Sequence, residues 1–241
     1  MDIQYEGTNY VGWQRQPSGK SIQGLLESAL TKIAKEKVTL FSASRTDAGV
    51  HAFHQVASFS LKDSKAPMRA FMEGANSLIP ESIRVREAKE VDLWFHANGD
   101  AKEKTYRYFF QFGPHSSVFL RRYSWHWKTP LDINLMSHAA QSLLGAHDFS
   151  AFRTRAETTK TSIRTVKALT FQEGPCGLYY FEMTADGFLK HMVRNIVGTL
   201  AEVGLGKRTS DEITDILDSK KRQKAGQSAP PHGLFLWRVL Y

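Results

Sequence analysis

Ile22, Leu25, Leu26, Ala29 and Ile33 recur at helical spacing, which predicts a helix over 21–34 with Ser21 as its N-cap. Alternating apolar and polar positions predict strands at 38–44, 54–60 and 83–87. Between them, 67–78 reads as a helix with Pro67 in its first turn. The second half repeats this grammar. An aromatic-rich strand at 106–112 precedes a helix marked by Leu135, Met136, Ala139, Leu143 and Leu144, which ends at Gly145. Strands at 163–171 and 178–184 form an antiparallel pair across Glu173-Gly174-Pro175. Phe188, Leu189, Met192, Val193, Ile196, Val197 and Leu200 predict a long, half-buried helix. Thr209 with Glu212 reads as a capping box for a short last helix, and 234–240 as a closing strand.

Strands punctuated by two helices in each half give an α+β chain. It reads as two domains of related, ferredoxin-like topology, with antiparallel sheets backed by helices. Asn98-Gly99-Asp100 is the best linker, so the expected domains are 1–99 and 100–241.

Charge adds an asymmetry to this picture. Residues 1–100 hold 12 basic and 12 acidic side chains, whereas 101–241 hold 20 and 12. The whole net charge of +8 lies in the second half. A polyanion docking mainly there fits, and nucleic acid is the natural one; the expected place is a cleft between the domains. An ordinary positive surface accounts for the same numbers. No stretch approaches the roughly 18 apolar residues of a membrane span. The opening residues carry no basic region followed by an apolar run, so no signal peptide is expected. A single cysteine, Cys176, excludes a disulfide framework and fits a reducing cytoplasm.

Most motifs fall away on inspection. Gly204-Leu205-Gly206-Lys207 lacks the phosphate-loop pattern, because Ala201 and Arg208 stand where glycine and Ser or Thr are needed. The nine histidines assemble no metal site, and His51 and His54 read as structural or surface residues. The basic run Lys220-Lys221-Arg222-Gln223-Lys224 reads as a solvated loop or a phosphate contact.

The segment Ser44-Arg45-Thr46-Asp47-Ala48-Gly49-Val50-His51 is different, because it places an arginine, a carboxylate and a glycine within five residues. Asp47 could act as nucleophile or base at a sugar or an electron-poor ring, and Arg45 could hold phosphate or enter a base stack. On spacing alone, an Asx-type turn is the ordinary reading. Lys104-Thr105-Tyr106-Arg107-Tyr108 puts Tyr106 and Tyr108 on one strand face, suited to stacking bases or to lining a core. Arg153, Arg155, Lys160, Arg164 and Lys190 are candidate RNA-binding cations. Arg194 falls close to the apolar stripe of its helix, so it needs a partner, and Asp47 is a candidate.

At these residues the chain resembles the tRNA pseudouridine synthases of the TruA type. The resemblance runs nearly end to end. It includes Tyr5-Glu6-Gly7-Thr8-Asn9-Tyr10, Gly12-Trp13-Gln14-Arg15-Gln16 and, most specific, Arg45-Thr46-Asp47-Ala48-Gly49-Val50-His51. Phe95-His96-Ala97, the stretch 104–108, Gly145 with His147-Asp148-Phe149, 188–198 and Gly233-Leu234-Phe235-Leu236 follow in order. The resemblance implies conversion of uridine to pseudouridine in the tRNA anticodon stem-loop, at nucleotides 38 to 40. It also implies no metal, no organic cofactor, and a cytoplasmic homodimer whose two subunits contact one tRNA. Asp47 matches the family's catalytic aspartate, and Arg45 the arginine that helps displace the target base. Tyr106 matches the tyrosine that packs on the uracil, and Arg194 the arginine that pairs with the aspartate. Two positions depart from the pattern: Ser44 replaces a glycine, and Asn98 replaces an arginine, removing an RNA-binding cation. A non-catalytic RNA-binding or tRNA-folding protein would keep the basic half without needing Asp47; a base-releasing glycosidase would admit water to the cleaved sugar.

Overall fold

The computed structural model describes residues 1–154 and 161–241. The chain forms two compact units, Met1–Lys102 with Phe235–Tyr241, and Glu103–Leu234. Both are α+β. Among the described residues no helix is long and apolar enough to cross a membrane.

In the first unit, β1 (Asp2–Tyr5) pairs antiparallel with both β3 (His51–Ser58) and β4 (Ile83–Glu87). The two-residue β2 (Phe41–Ser42) also pairs antiparallel with β3. Helix α1 (Ile22–Ala34) starts where the sequence predicts: the Ser21 side chain accepts the Gly24 N–H, replacing one amide partner that a helix start lacks. Its buried side includes Ile22, Leu26, Ala29 and Leu30, and each large apolar side chain among them contributes roughly 1.5–3 kcal/mol. The predicted helix over 67–78 contains a wide turn at Ala70–Gly74 before α2 (Ala75–Leu78). This second helical segment packs on α1 and β4.

The expected strand at 38–44 shrinks to β2, for a definite reason. Helix α1 carries two buried polar side chains, Gln23 and Glu27. Glu27 Oε1 accepts the Leu40 N–H at 2.8 Å, and Gln23 Nε2 donates to the Leu40 carbonyl at 3.1 Å. Thr31 Oγ1 takes the Val38 N–H. These backbone groups bond helix side chains and leave the sheet ladder. Arg15 closes the cluster with an ion pair to Glu27 at 3.1 Å.

The strand predicted at 234–240 is present as Leu234–Leu240. Although it comes last, it pairs in parallel with the start of β3, Phe235 opposite His51 and Leu236 opposite Ala52. Phe235 stacks on His51, and Trp237 on Phe53. Sequence order assigns this strand to the second half; Phe235–Tyr241 nevertheless belongs to the first compact unit.

The second unit is built on β5 (Glu103–Phe112), β6 (Trp125–Trp127), β7 (Gly145–Asp148), β8 (Ile163–Glu173) and β9 (Leu178–Ala185). β5, β9, β8 and β7 pair antiparallel in that order, and β6 lies parallel to β5. The β8–β9 pair is the predicted hairpin. Its turn carries Cys176 and Gly177 at positive φ. Helices α3 (Ile133–Ala140), α4 (Met192–Gly204) and α5 (Asp211–Ser219) accompany this sheet. Tyr108, Phe110, Phe149, Phe152 and Phe181 are fully buried. Helix α3 stops at Ala140 and continues as a tighter 3-10 turn over Gln141–Leu143, so the helical stretch ends just before the predicted Gly145, which opens β7 at φ 95°. Helix α4 starts at Met192, after the predicted Phe188. His191 adopts a left-handed conformation, and a turn in which the Met192 N–H bonds the Leu189 carbonyl precedes the helix.

Removing the Glu27 carboxylate leaves the Leu40 amide without its acceptor. Glu27→Ala should therefore lower unfolding stability by about 1–3 kcal/mol. The expected readout is a lower urea midpoint with an unchanged slope; an unchanged midpoint counts against the clamp.

Candidate active site and nucleic-acid interface

The loop 44–50 joins β2 to β3 and is held from within the first unit. Thr46 is buried, and its Oγ1 shares a 2.7 Å hydrogen bond with the Tyr5 hydroxyl. Burial raises the pKa of that hydroxyl, so it stays neutral. The Thr46 carbonyl accepts the Trp13 N–H at 3.0 Å. At the loop's entry, the fully buried Gln55 reads the Ser44 backbone twice: its Oε1 accepts the amide, and its Nε2 donates to the carbonyl. At its exit, the Val50 N–H bonds the Asp47 carbonyl, with Gly49 at φ 77°. His51 Nδ1 accepts the Gly7 N–H at 3.0 Å, which places the proton of the neutral ring on Nε2.

The buried Thr46 separates two outward neighbours. Arg45 is exposed and Asp47 is half-buried. A carboxylate and a guanidinium thus project from a loop whose backbone is fixed by β1, by the segment around Trp13 and by β3. Such rigidity suits a reacting group that must keep its geometry. Gly12 allows the closest approach: it has φ 100°, and a Cβ there would lie 2.7 Å from the Thr46 carbonyl oxygen. Ser44, where the resembled family carries glycine, has no positive φ, so serine fits without strain.

The remaining candidates lie in the second unit. Tyr106 on β5 is 5% exposed and meets Phe188 edge-on at 4.8 Å. Tyr108 is buried on the same strand face, and its hydroxyl donates to the Pro230 carbonyl. Of the two readings open for this face, Tyr108 fills the core. Arg107 points the other way, paired with Glu182 and lying over the Tyr180 ring at 4.4 Å.

Arg194 is half-buried in the first turn of α4. Its Nε donates to the Ala229 carbonyl at 2.8 Å, while its own carbonyl accepts the Ala229 N–H at 2.9 Å. This double clasp needs the segment 227–229 to lie directly on the helix. Gly198 permits it, since a Cβ there would fall 1.8 Å from the Gln227 carbonyl oxygen.

The turn 186–191 gathers several of the predicted cations. Lys190 is exposed on it. The Lys190 carbonyl accepts the N–H of Thr154, the neighbour of Arg153, and the Thr154 hydroxyl meets His191 Nδ1 at 2.6 Å. Arg164 packs against Gly187 and donates to the Thr161 and Ile163 carbonyls. Arg155 and Lys160 lie outside the described residues. In the run 220–224, Arg222 is structural: it bonds Asn195 Oδ1 and the Ala225 carbonyl. Lys220 pairs with Asp148 at 3.2 Å.

Tyr5, Trp13 and His51 fall inside motifs legible in the sequence, but their bracing role is not, and Gln55 is missed altogether because it looks like an ordinary strand residue. Gln55 carries the one usable signal, an amide at a buried position of an alternating strand. Lys104 carries another. It is only 7% exposed and shares its strand face with Tyr106.

This loop and its braces lie within a larger pattern of likeness. The chain belongs to the tRNA pseudouridine synthase family, whose sequence profile matches residues 2–98 and 139–241. The first span holds Arg45 and Asp47; the second holds Arg153, Arg164, Lys190 and Arg194; Tyr106 falls in the stretch between. The tRNA pseudouridine synthase A of Acetivibrio thermocellus is 45% identical over 239 residues, covering 99% of this chain and 97% of that one. That of Thermoanaerobacter sp. (strain X514) is equally similar, with the same coverage. That of Myxococcus xanthus is 42% identical, covering 100% of this chain and 91% of its own.

A methyl group at position 12 forces strain on the loop. Gly12→Ala should cost roughly 1–3 kcal/mol. Its local signature is faster hydrogen exchange at the Trp13 amide, the donor to Thr46. An amide as protected as in the unaltered protein would show that Gly12 does not brace the loop.

Proposed function

We propose that this chain is a cytoplasmic tRNA pseudouridine synthase that isomerises uridine in the anticodon stem-loop, acting as a homodimer. The observation that carries the reading is the braced loop of Asp47, in a chain whose family membership covers both units. In this reading Asp47 is the catalytic carboxylate, supported by Arg45, Tyr106 and Arg194. Arg153, Arg155, Lys160, Arg164 and Lys190 contact RNA.

The chemistry follows from what each group can do. The target uridine leaves its stack, at a cost of a few kcal/mol that is smaller in a loop than in a stem. Arg45, exposed beside Asp47, fills the vacated place, and its charge suits the phosphates around it. The uracil packs against the Tyr106 ring. Asp47 works as the carboxylate, and positive charge from Arg194 favours that form. The bond between the sugar C1′ and uracil N1 breaks, with a carboxylate assisting as in glycoside chemistry. The uracil turns and rejoins C1′ through C5; the C5 proton leaves and N1 takes up a proton, so substrate and product are isomers. No electrons enter or leave. Exclusion of water keeps the cleaved sugar from being hydrolysed, which separates a synthase from a glycosidase.

The test is tritium release from tRNA transcripts labelled at uridine C5, comparing the unaltered protein with Asp47→Ala. Release by the unaltered protein is expected, with a fall of at least about 1000-fold in Asp47→Ala and tRNA binding nearly intact. Release by neither, with binding retained, would replace the synthase with a non-catalytic RNA-binding protein. A second expectation concerns the turn 186–191. Alanine at Arg164 and Lys190 should weaken tRNA binding and reduce its logarithmic salt slope by about one for each phosphate that is no longer neutralised. An unchanged slope rejects a role for these two side chains at the RNA backbone.

A further inference from the structure

The connection between β5 and β6, residues 113–124, presents apolar side chains to solvent while its own backbone is closely held. Val118 is 70% exposed and Phe119 84% exposed. Gln111, buried near the end of β5, grips the segment at two points. Its Oε1 accepts the Ser117 N–H, and its Nε2 donates to Ser124 Oγ at 3.1 Å. The hydroxyl of the buried Ser124 in turn donates to the Leu120 carbonyl at 3.0 Å. Within the turn, the Ser117 carbonyl accepts the Arg121 N–H at 3.0 Å, and the Leu120 carbonyl accepts the Tyr123 N–H at 2.8 Å. Ser117 Oγ accepts the N–H of Phe119 itself at 3.3 Å. The fold gains little from a phenylalanine held in this way, because the ring leaves almost none of its apolar surface out of water.

The surroundings of the ring select its ligand. Arg121 and Arg122 follow it and are exposed, as is His115 before it. Residues 113–131 contain no aspartate or glutamate. The local field therefore draws a polyanion. A phenyl ring offers a flat face on which any nucleobase can stack. A guanidinium two residues away suits the phosphate that joins such a base to its neighbour. The brace matters here, because a loop already ordered loses little entropy when a ligand arrives. A second copy of the chain fits less well. A stable protein interface buries about 800 Å² on each side, whereas a phenylalanine side chain supplies on the order of 200 Å².

We infer that Phe119 is a stacking platform for an unpaired base of the RNA substrate, with Arg121 on an adjoining phosphate. This deepens the proposed function and rests on its RNA-binding part. The platform belongs to a different nucleotide from the target. Six steps of β5 separate Tyr106 from Phe112, where the connection begins, a distance of about 20 Å. The contact therefore adds to recognition of the RNA as a whole and touches none of the reacting atoms.

The experiment measures binding of an unmodified tRNA transcript by fluorescence anisotropy at several salt concentrations. It compares the unaltered protein with Phe119→Ala, Phe119→Trp and Arg121→Gln, and records thermal unfolding and tritium release for each. Phe119→Ala should bind about tenfold more weakly with an unchanged salt slope, because stacking neutralises no phosphate. Its unfolding temperature should not move, since the ring is exposed. Phe119→Trp should restore the affinity. Arg121→Gln should bind more weakly with a salt slope smaller by about one. In tritium release, the loss in Phe119→Ala should fall on KM. A photoreactive p-benzoylphenylalanine in place of Phe119 should crosslink to the transcript. Unchanged affinity in Phe119→Ala, or a loss that Phe119→Trp does not restore, overturns the stacking platform. Crosslinking to a second protein chain and not to RNA overturns it as well, and makes the loop a self-association surface. An unchanged salt slope in Arg121→Gln rejects the phosphate contact. Tritium release decides the synthase reading separately: binding that depends on Phe119, without release, leaves the platform standing and removes the enzyme.

Discussion

The hydrogen bond between Thr46 and Tyr5 is the constraint on which the candidate site depends. It turns one residue of a surface loop inward, and the strand-like alternation of the neighbours then turns Arg45 and Asp47 outward. A loop that donates and accepts only to water would sample many conformations, and each ordered residue costs about 1–2 kcal/mol of backbone entropy. Here that cost is offset by groups from β1, from the segment around Trp13, and from β3, all of which are ordered by the sheet for their own reasons. The acid is therefore placed by the core, although it stands at the surface.

The second unit solves a different problem. It must carry excess positive charge without losing its core. Lys190 and Lys220 are exposed, and the mid-strand Arg107 is paired with Glu182, while Tyr108, Phe110, Phe149 and Phe181 fill the interior. Arg194 shows how a cation is held near an apolar helix face: its guanidinium and its backbone both engage Ala229, so the side chain has one available direction. Arg222 uses the same device and becomes a structural tie. Charge counting alone cannot tell such ties from ligand-binding groups, because the difference lies in which carbonyls surround them.

Helix α1, the β8–β9 hairpin and the strand at Leu234–Leu240 are legible in the sequence because their side-chain periods are set by burial on one face. The strand at 38–44 is shorter than its pattern suggests because Gln23 and Glu27, far back in the chain, claim the backbone of Leu40. Periodicity carries no record of such distant side-chain partners. The start of α4 is misread because Phe188 and Leu189 are apolar at helical spacing yet belong to a turn, a choice made by the left-handed His191. Asp47 and Arg45 are legible as a motif, but their chemistry comes from resemblance; spacing alone gives a turn. His51 is legible as a structural or surface residue but its partner is not, and Gln55 is missed, because a buried amide and a buried imidazole gain their meaning only from the backbone atoms opposite them.

The parallel pairing of the last strand with β3 has a consequence for how the molecule comes into being. His51, at the foot of the Asp47 loop, stacks on Phe235, and all of the second unit lies between them in the chain. Chains emerge from the ribosome in order, and domains generally fold as units as they appear. This first unit must wait, with one edge of β3 open, until the whole second unit has been made. During that interval the open edge is a site for mispairing. The loop that carries the acid receives its final support among the last events of synthesis, so a nascent chain carries the motif well before it has the completed site.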